Sequence, residues 1–66
     1  MIVQVNEQAV ETTTGITIFD LLKQLDITTR HIAVEVNLSI VPFESHGETI
    51  LHDGDQLEVV TLVGGG

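Results

Sequence analysis

Ile18, Leu21, Leu22 and Leu25 stand at i, i+3, i+4 and i+7, the one-sided stripe of an amphipathic helix, with Lys23, Gln24 and Asp26 turned away. Thr17 sits where a helix N-cap belongs, and Asp20 follows three residues later, close to the capping-box pattern. That carboxylate also falls on the positive end of the helix dipole. Phe19 lies about a quarter turn from the stripe's centre and is expected at its edge. A lone apolar stripe has to be buried against something, and the rest of this 66-residue chain is patterned as strands. The helix is therefore expected to cover a sheet.

The strand signals come in a definite order. Residues 2–6 alternate so that Val3 and Val5 share a face and Gln4 and Asn6 take the other. Asn6-Glu7 can turn the chain into a second strand over residues 9–12, since Asn tolerates left-handed backbone angles, although Asn-Gly would be stronger hairpin chemistry. Thr14-Gly15 breaks that strand ahead of the helix, and Ile27-Thr28-Thr29-Arg30 reads as a polar connector after it. A third strand is expected over residues 32–37, followed by the short piece Ile40-Val41, which Pro42 halts because proline cannot donate to a ladder. Residues 43–52 read as a mixed polar loop holding at most one helical turn, and Asp53-Gly54-Asp55 turns the chain into a last strand that begins at Gln56. The order is strand, strand, helix, strand, short strand, final strand, an α+β arrangement with about five strands in a mixed sheet and one main helix on one face. It resembles the β-grasp, or ubiquitin-like, fold, which implies a final strand beside the first in the middle of the sheet.

Size and composition narrow the function classes. A domain this small buries only about 60% of the surface its unfolded chain exposes. There is no Cys, so disulfides, thiolate metal sites and a cysteine nucleophile are excluded. Trp and Tyr are also absent, and only Phe19 and Phe43 are aromatic, so stacking platforms for bases or sugars are missing. Ten carboxylates against two basic residues, Lys23 and Arg30, give a formal net charge of -8. That balance repels phosphate backbones and anionic membranes and attracts a basic protein partner. The start Met-Ile-Val-Gln-Val-Asn has no basic n-region, and no apolar run approaches the ~20 residues of a membrane span. A soluble cytoplasmic protein, monomeric when free, is expected.

Few side chains are arranged for chemistry. His31, His46 and His52 lack the spacing of paired metal ligands, and Asp53-Gly54-Asp55 lacks the alternating oxygens and terminal Glu of a calcium loop. Ser39 and Ser45 have no base and orienting acid marked around them. Neither a resident metal or cofactor nor an autonomous enzyme is expected. What remains is the C-terminal run, Gln56-Leu57-Glu58-Val59-Val60-Thr61-Leu62-Val63-Gly64-Gly65-Gly66. If Leu57, Val59 and Thr61 face the helix, alternation sends Glu58, Val60 and Leu62 to the uncovered face, where Ile2 on the neighbouring strand could extend Val60 and Leu62 into a partner-docking patch. The domain is read as residues 1–63, with Gly64, Gly65 and Gly66 as a mobile tail; plain fraying is the alternative. Glycines without Cβ suit a tail that enters a narrow tunnel and delivers the Gly66 carboxylate to a partner's active site.

The whole chain resembles the ThiS family of thiamine-biosynthesis sulfur carriers. The resemblance rests on the short length, the strand end Val34-Glu35-Val36-Asn37, the Ile40-Val41-Pro42 piece, Asp53-Gly54-Asp55 leading into Gln56-Leu57-Glu58-Val59-Val60, and Val63-Gly64-Gly65-Gly66 at the terminus. Two positions depart from the family's pattern: Phe43 stands where many relatives look basic, and no large aromatic follows shortly after it. The resemblance implies that a ThiF-like enzyme adenylates the Gly66 carboxylate, that sulfur from a donor such as a cysteine desulfurase converts it to a thiocarboxylate, and that thiazole synthase, ThiG, takes the sulfur. In a chain without thiols, an acyl-sulfur group at Gly66 is the covalent form that sulfur can take. Two alternatives stand beside this one: a carrier of the molybdopterin-synthase small-subunit type, and a non-covalent β-grasp interaction module with an inert tail.

Overall fold

The computed structural model describes residues 1–28 and 31–62, and in it a five-stranded mixed sheet carries one α-helix. The strands are β1 (Ile2–Val5), β2 (Gln8–Glu11), β3 (Ile32–Val36), β4 (Ser39–Val41) and β5 (Gln56–Thr61), and the helix is α1 (Ile18–Gln24). Their order across the sheet is β2-β1-β5-β3-β4, with β5 parallel to β1 and the other three pairings antiparallel. The final strand thus lies beside the first in the centre, as the fold resemblance implied.

Local chemistry explains the element ends. Thr17 caps α1, its Oγ1 accepting from the Asp20 N–H at 3.2 Å. The helix closes where Asp26 takes a left-handed φ of 60°, so that Asp26 N–H donates to the Lys23 carbonyl at 3.0 Å and Ile27 N–H to the Leu22 carbonyl at 2.8 Å. This is a Schellman closure with Asp in the usual glycine place, and it turns Ile27 back onto the core. Ile27 is therefore packed, whereas the sequence places it in a polar connector.

Two tight turns set the strand lengths. Asn6 and Glu7 have φ of 49° and 70°, and Asn37 and Leu38 have 51° and 72°, the paired positive angles of a type I′ hairpin turn. Asn6 thus belongs to a turn, which ends β1 at Val5 and starts β2 at Gln8, one residue earlier than alternation suggests. Asn37 likewise leaves β3 at Val36.

Ile18, Leu21 and Leu22 from α1 bury against Val3, Val5, Val34 and Leu57 of the sheet, with Ile32 and Leu51 completing the cluster. The stretch between β4 and β5 contributes more than a polar loop. Phe43–Ser45 form a 3-10 turn, and the chain then docks on the start of α1, Ile18 N–H donating to the Thr49 carbonyl and Phe19 N–H to the His46 carbonyl. His46 is buried, its Nε2 donating to the Val41 carbonyl at 3.0 Å and its ring set edge-on to Phe43 at 5.5 Å. A histidine thus fills the core position beneath Phe43. No helix among the described residues is long and apolar enough to cross a membrane.

Candidate functional site

β5 divides its side chains as alternation demands, but not uniformly along its length. Leu57 is buried and Val59 half-buried on the helix side, while Glu58, Val60 and Leu62 are exposed on the open face. Thr61 has the parity of the helix side and is nonetheless exposed, although Ile32 opposite it on β3 is buried. The apolar end of the open face is continued by β3. Val60 lies directly opposite Ala33, and one rung away Glu58 faces Glu35, which in turn faces Ile40. Ile40 is strongly exposed.

Ile2 is also exposed on this face, but the register separates it from Val60 and Leu62. Gln4 aligns with Gln56 and Val5 with Leu57, so Ile2 runs alongside Gly54, six positions before Val60 and about 20 Å from it along the strand. Its N–H is occupied in a 2.8 Å bond to Asp53 Oδ1. The register thus takes Ile2 out of the expected patch and leaves Val60 and Leu62, with Ala33 opposite Val60. The physical reason is the parallel register, which puts the end of β1 beside the start of β5 and leaves the end of β5 without a β1 neighbour.

Next to the apolar end lies a shallow depression of about 410 Å³ between Gln4, Gln56 and the carboxylates of Glu7, Glu35 and Glu58. Glu35 and Glu58 are direct cross-strand partners, a like-charge pairing that costs stability. A basic group brought by a partner would relieve it. Among the described residues, no three His, Cys, Asp or Glu side chains gather as a metal cluster. A second hollow, of about 290 Å³, lies on the helix side between Phe19, Leu22, Ile27 and Phe43.

The strand that leads to the terminus is held at its start and again at Val59 by asparagines from the two hairpin turns. Asn37 Oδ1 accepts from Gln56 N–H at 3.0 Å, and its Nδ2 donates to Asp55 Oδ1. Asn6 Oδ1 accepts from Val59 N–H at 2.8 Å and its Nδ2 donates to the Val59 carbonyl at 3.1 Å. The last backbone bond on the β3 side runs from Leu62 N–H to the His31 carbonyl at 2.7 Å. The sequence reading took Asn6 only as a turn former and Asn37 only as a strand end, and it did not single out Ala33. Each acquires its role from strand order and register, which single residues do not announce. Gly64, Gly65 and Gly66, like Val63, lie outside the described residues.

Three comparisons place this geometry among known proteins. The model of the ThiS family matches residues 3–66, a span that includes the glycine run. A sulfur carrier protein ThiS of Escherichia coli is 38% identical over 61 residues, covering 92% of both chains. A thiazole synthase of Paramagnetospirillum magneticum is 44% identical over 52 residues, which are 79% of this chain but only 16% of that protein's length. The crystal structure of a thiamine biosynthesis protein (ThiS) from Geobacter metallireducens superposes with a TM-score of 0.86 at 26% identity, covering all of both chains. The fold is the β-grasp fold, and the chain belongs to the ThiS family.

Proposed function

We propose that this protein is a sulfur carrier of thiamine biosynthesis and that the carboxylate of Gly66 is its working group. A carboxylate is a poor electrophile, so a ThiF-like enzyme first joins it to the AMP of ATP, releasing pyrophosphate. Sulfide, released from the persulfide of a donor such as a cysteine desulfurase by two electrons from a thiol reductant, then attacks the acyl carbon. The carbon–sulfur bond forms as AMP leaves, and the product is a thiocarboxylate that thiazole synthase, ThiG, consumes. The chain itself supplies docking and delivery, which makes it a co-substrate and not a catalyst.

The observation that carries the reading is the end of β5, where an exposed apolar face, Val60 and Leu62 with Ala33, sits directly before Val63-Gly64-Gly65-Gly66. A partner that seats on this face has the start of the tail at its rim, so the glycines can pass into an active site too narrow for side chains. The acidic depression beside it favours a basic partner surface. The similarity to part of a thiazole synthase supports the thiamine pathway over the molybdopterin alternative, since in that protein a segment like this one occurs in a chain named for the consuming enzyme. The test is pyrophosphate release by a ThiF-class enzyme supplied with ATP and this protein. Release that requires Gly65 and Gly66 supports the reading, and release that is indifferent to their deletion contradicts it.

A further inference from the structure

β5 outlasts its neighbour. In an antiparallel pair, alternate residues direct their backbone groups to the partner strand, and here the even positions of β5 serve β3: Asn37 N–H donates to the Gln56 carbonyl, and Leu62 N–H to the His31 carbonyl. The odd positions, Leu57, Val59 and Thr61, therefore turn their N–H and C=O groups toward β1. Leu57 finds a backbone partner there, its carbonyl accepting from Asn6 N–H at 2.9 Å. Val59 finds none, because β1 stops at Val5 and the chain turns away through Asn6 and Glu7 into β2. The side-chain amide of Asn6 takes the vacant rung. It offers one acceptor and one donor, as a peptide group does, and it satisfies both backbone groups of Val59.

We infer that Asn6 is a positioning residue for the reaction of the terminal carboxylate, acting through the last two-sided rung of β5; the inference rests on the carrier reading above. With Asn6 in place the strand is held from both sides as far as Val59. Without it, that limit retreats to Leu57, and Glu58 to Leu62 hang from β3 alone. The docking face survives such a loss, since Val60 keeps its Ala33 pairing and Leu62 its bond to His31. What changes is the direction in which β5 launches the tail, and a reacting group held less closely in line reacts more slowly once bound. The expected signature is a lower kcat for adenylation with little change in KM for the carrier.

Asn6→Gly separates this role from the turn, because glycine accepts the left-handed φ of 49° while removing the amide. Ala9→Gly is the control, since it loosens the same β1–β2 hairpin at the exposed position opposite Gln4 and leaves the amide untouched. For Asn6→Gly, amide hydrogen exchange at Val59 should accelerate about tenfold, and adenylation kcat should fall about tenfold with KM within about twofold. Ala9→Gly should keep the wild-type kcat. Asn6→Asp, which tolerates the turn and keeps the acceptor but loses the donor, carries the same test should the glycine variant not fold, and its kcat falls as well. Three results overturn the inference: unchanged Val59 exchange, an unchanged kcat measured well below the melting temperature, or an equal kcat loss in Ala9→Gly. A wild-type protein that is never adenylated contradicts the carrier reading instead, while the exchange measurement still reports on the clamp.

Discussion

Leu57 lies inside β5 and Leu62 just past its end, yet Leu57 is 2% exposed and Leu62 59%. The difference comes from their neighbours. At Leu57 the strand has β1 on one side, β3 on the other and α1 above, so its side chain joins Val3, Val5 and Leu21 in the core. By Val60 the β1 neighbour is gone, and parity has turned the side chain to the face that α1 does not cover. One strand thus anchors the fold at its start and offers an apolar surface at its end. Removing residues from the two ends should therefore separate stability from activity.

The largest effect is expected at the terminal glycines. Deletion of Gly65 and Gly66 should abolish thiocarboxylate formation while leaving the thermal melting curve in place; a protein that keeps its biological activity without them is the interaction module with an inert tail. Leu57→Ala should have the opposite character. Truncating a fully buried leucine costs about 2–5 kcal/mol, a large share of what so small a domain possesses, and urea unfolding measures it. A loss below about 1 kcal/mol would mean that the start of β5 is not the anchor described. Val60→Asp places a charge on the uncovered face, where an exposed substitution shifts stability by only about 0.5 kcal/mol. Its kcat/KM for adenylation should nonetheless drop about tenfold, the effect of about 1.4 kcal/mol of lost docking. Unfolding of this variant would show that the faces had been assigned in reverse. The smallest change is Glu58→Gln, which removes the repulsion across the Glu35 pair and should raise stability by about 0.2–1 kcal/mol in the same urea experiment.

What the sequence made legible was whatever depends on periodicity. The stripe from Ile18 to Leu25, the Thr17 cap, the Val3 and Val5 face and the split of β5 into Leu57 and Val60 sides all follow from spacings of 3.6 or 2. What escaped depends on contacts between distant segments. His46 and Leu51 carry no periodic signal, and their burial arises because the stretch after β4 docks on the start of α1. Ile2 looked like a neighbour of Val60 because β1 and β5 are adjacent, and only the register shows that the end of β1 meets the start of β5. Asn6 is legible as a turn residue, but its bonds to Val59 span 53 positions and exist only because one strand ends before the other.

The central claim is that Gly66 carries sulfur as an acyl group, and intact-mass spectrometry tests it most directly. The protein is incubated with a ThiF-class enzyme, ATP and a sulfur donor, beside a known carrier as the positive control. The account predicts a mass gain equal to the exchange of one oxygen for one sulfur, located in the C-terminal fragment and absent when ATP is withheld. An unchanged mass under conditions that convert the control would contradict it.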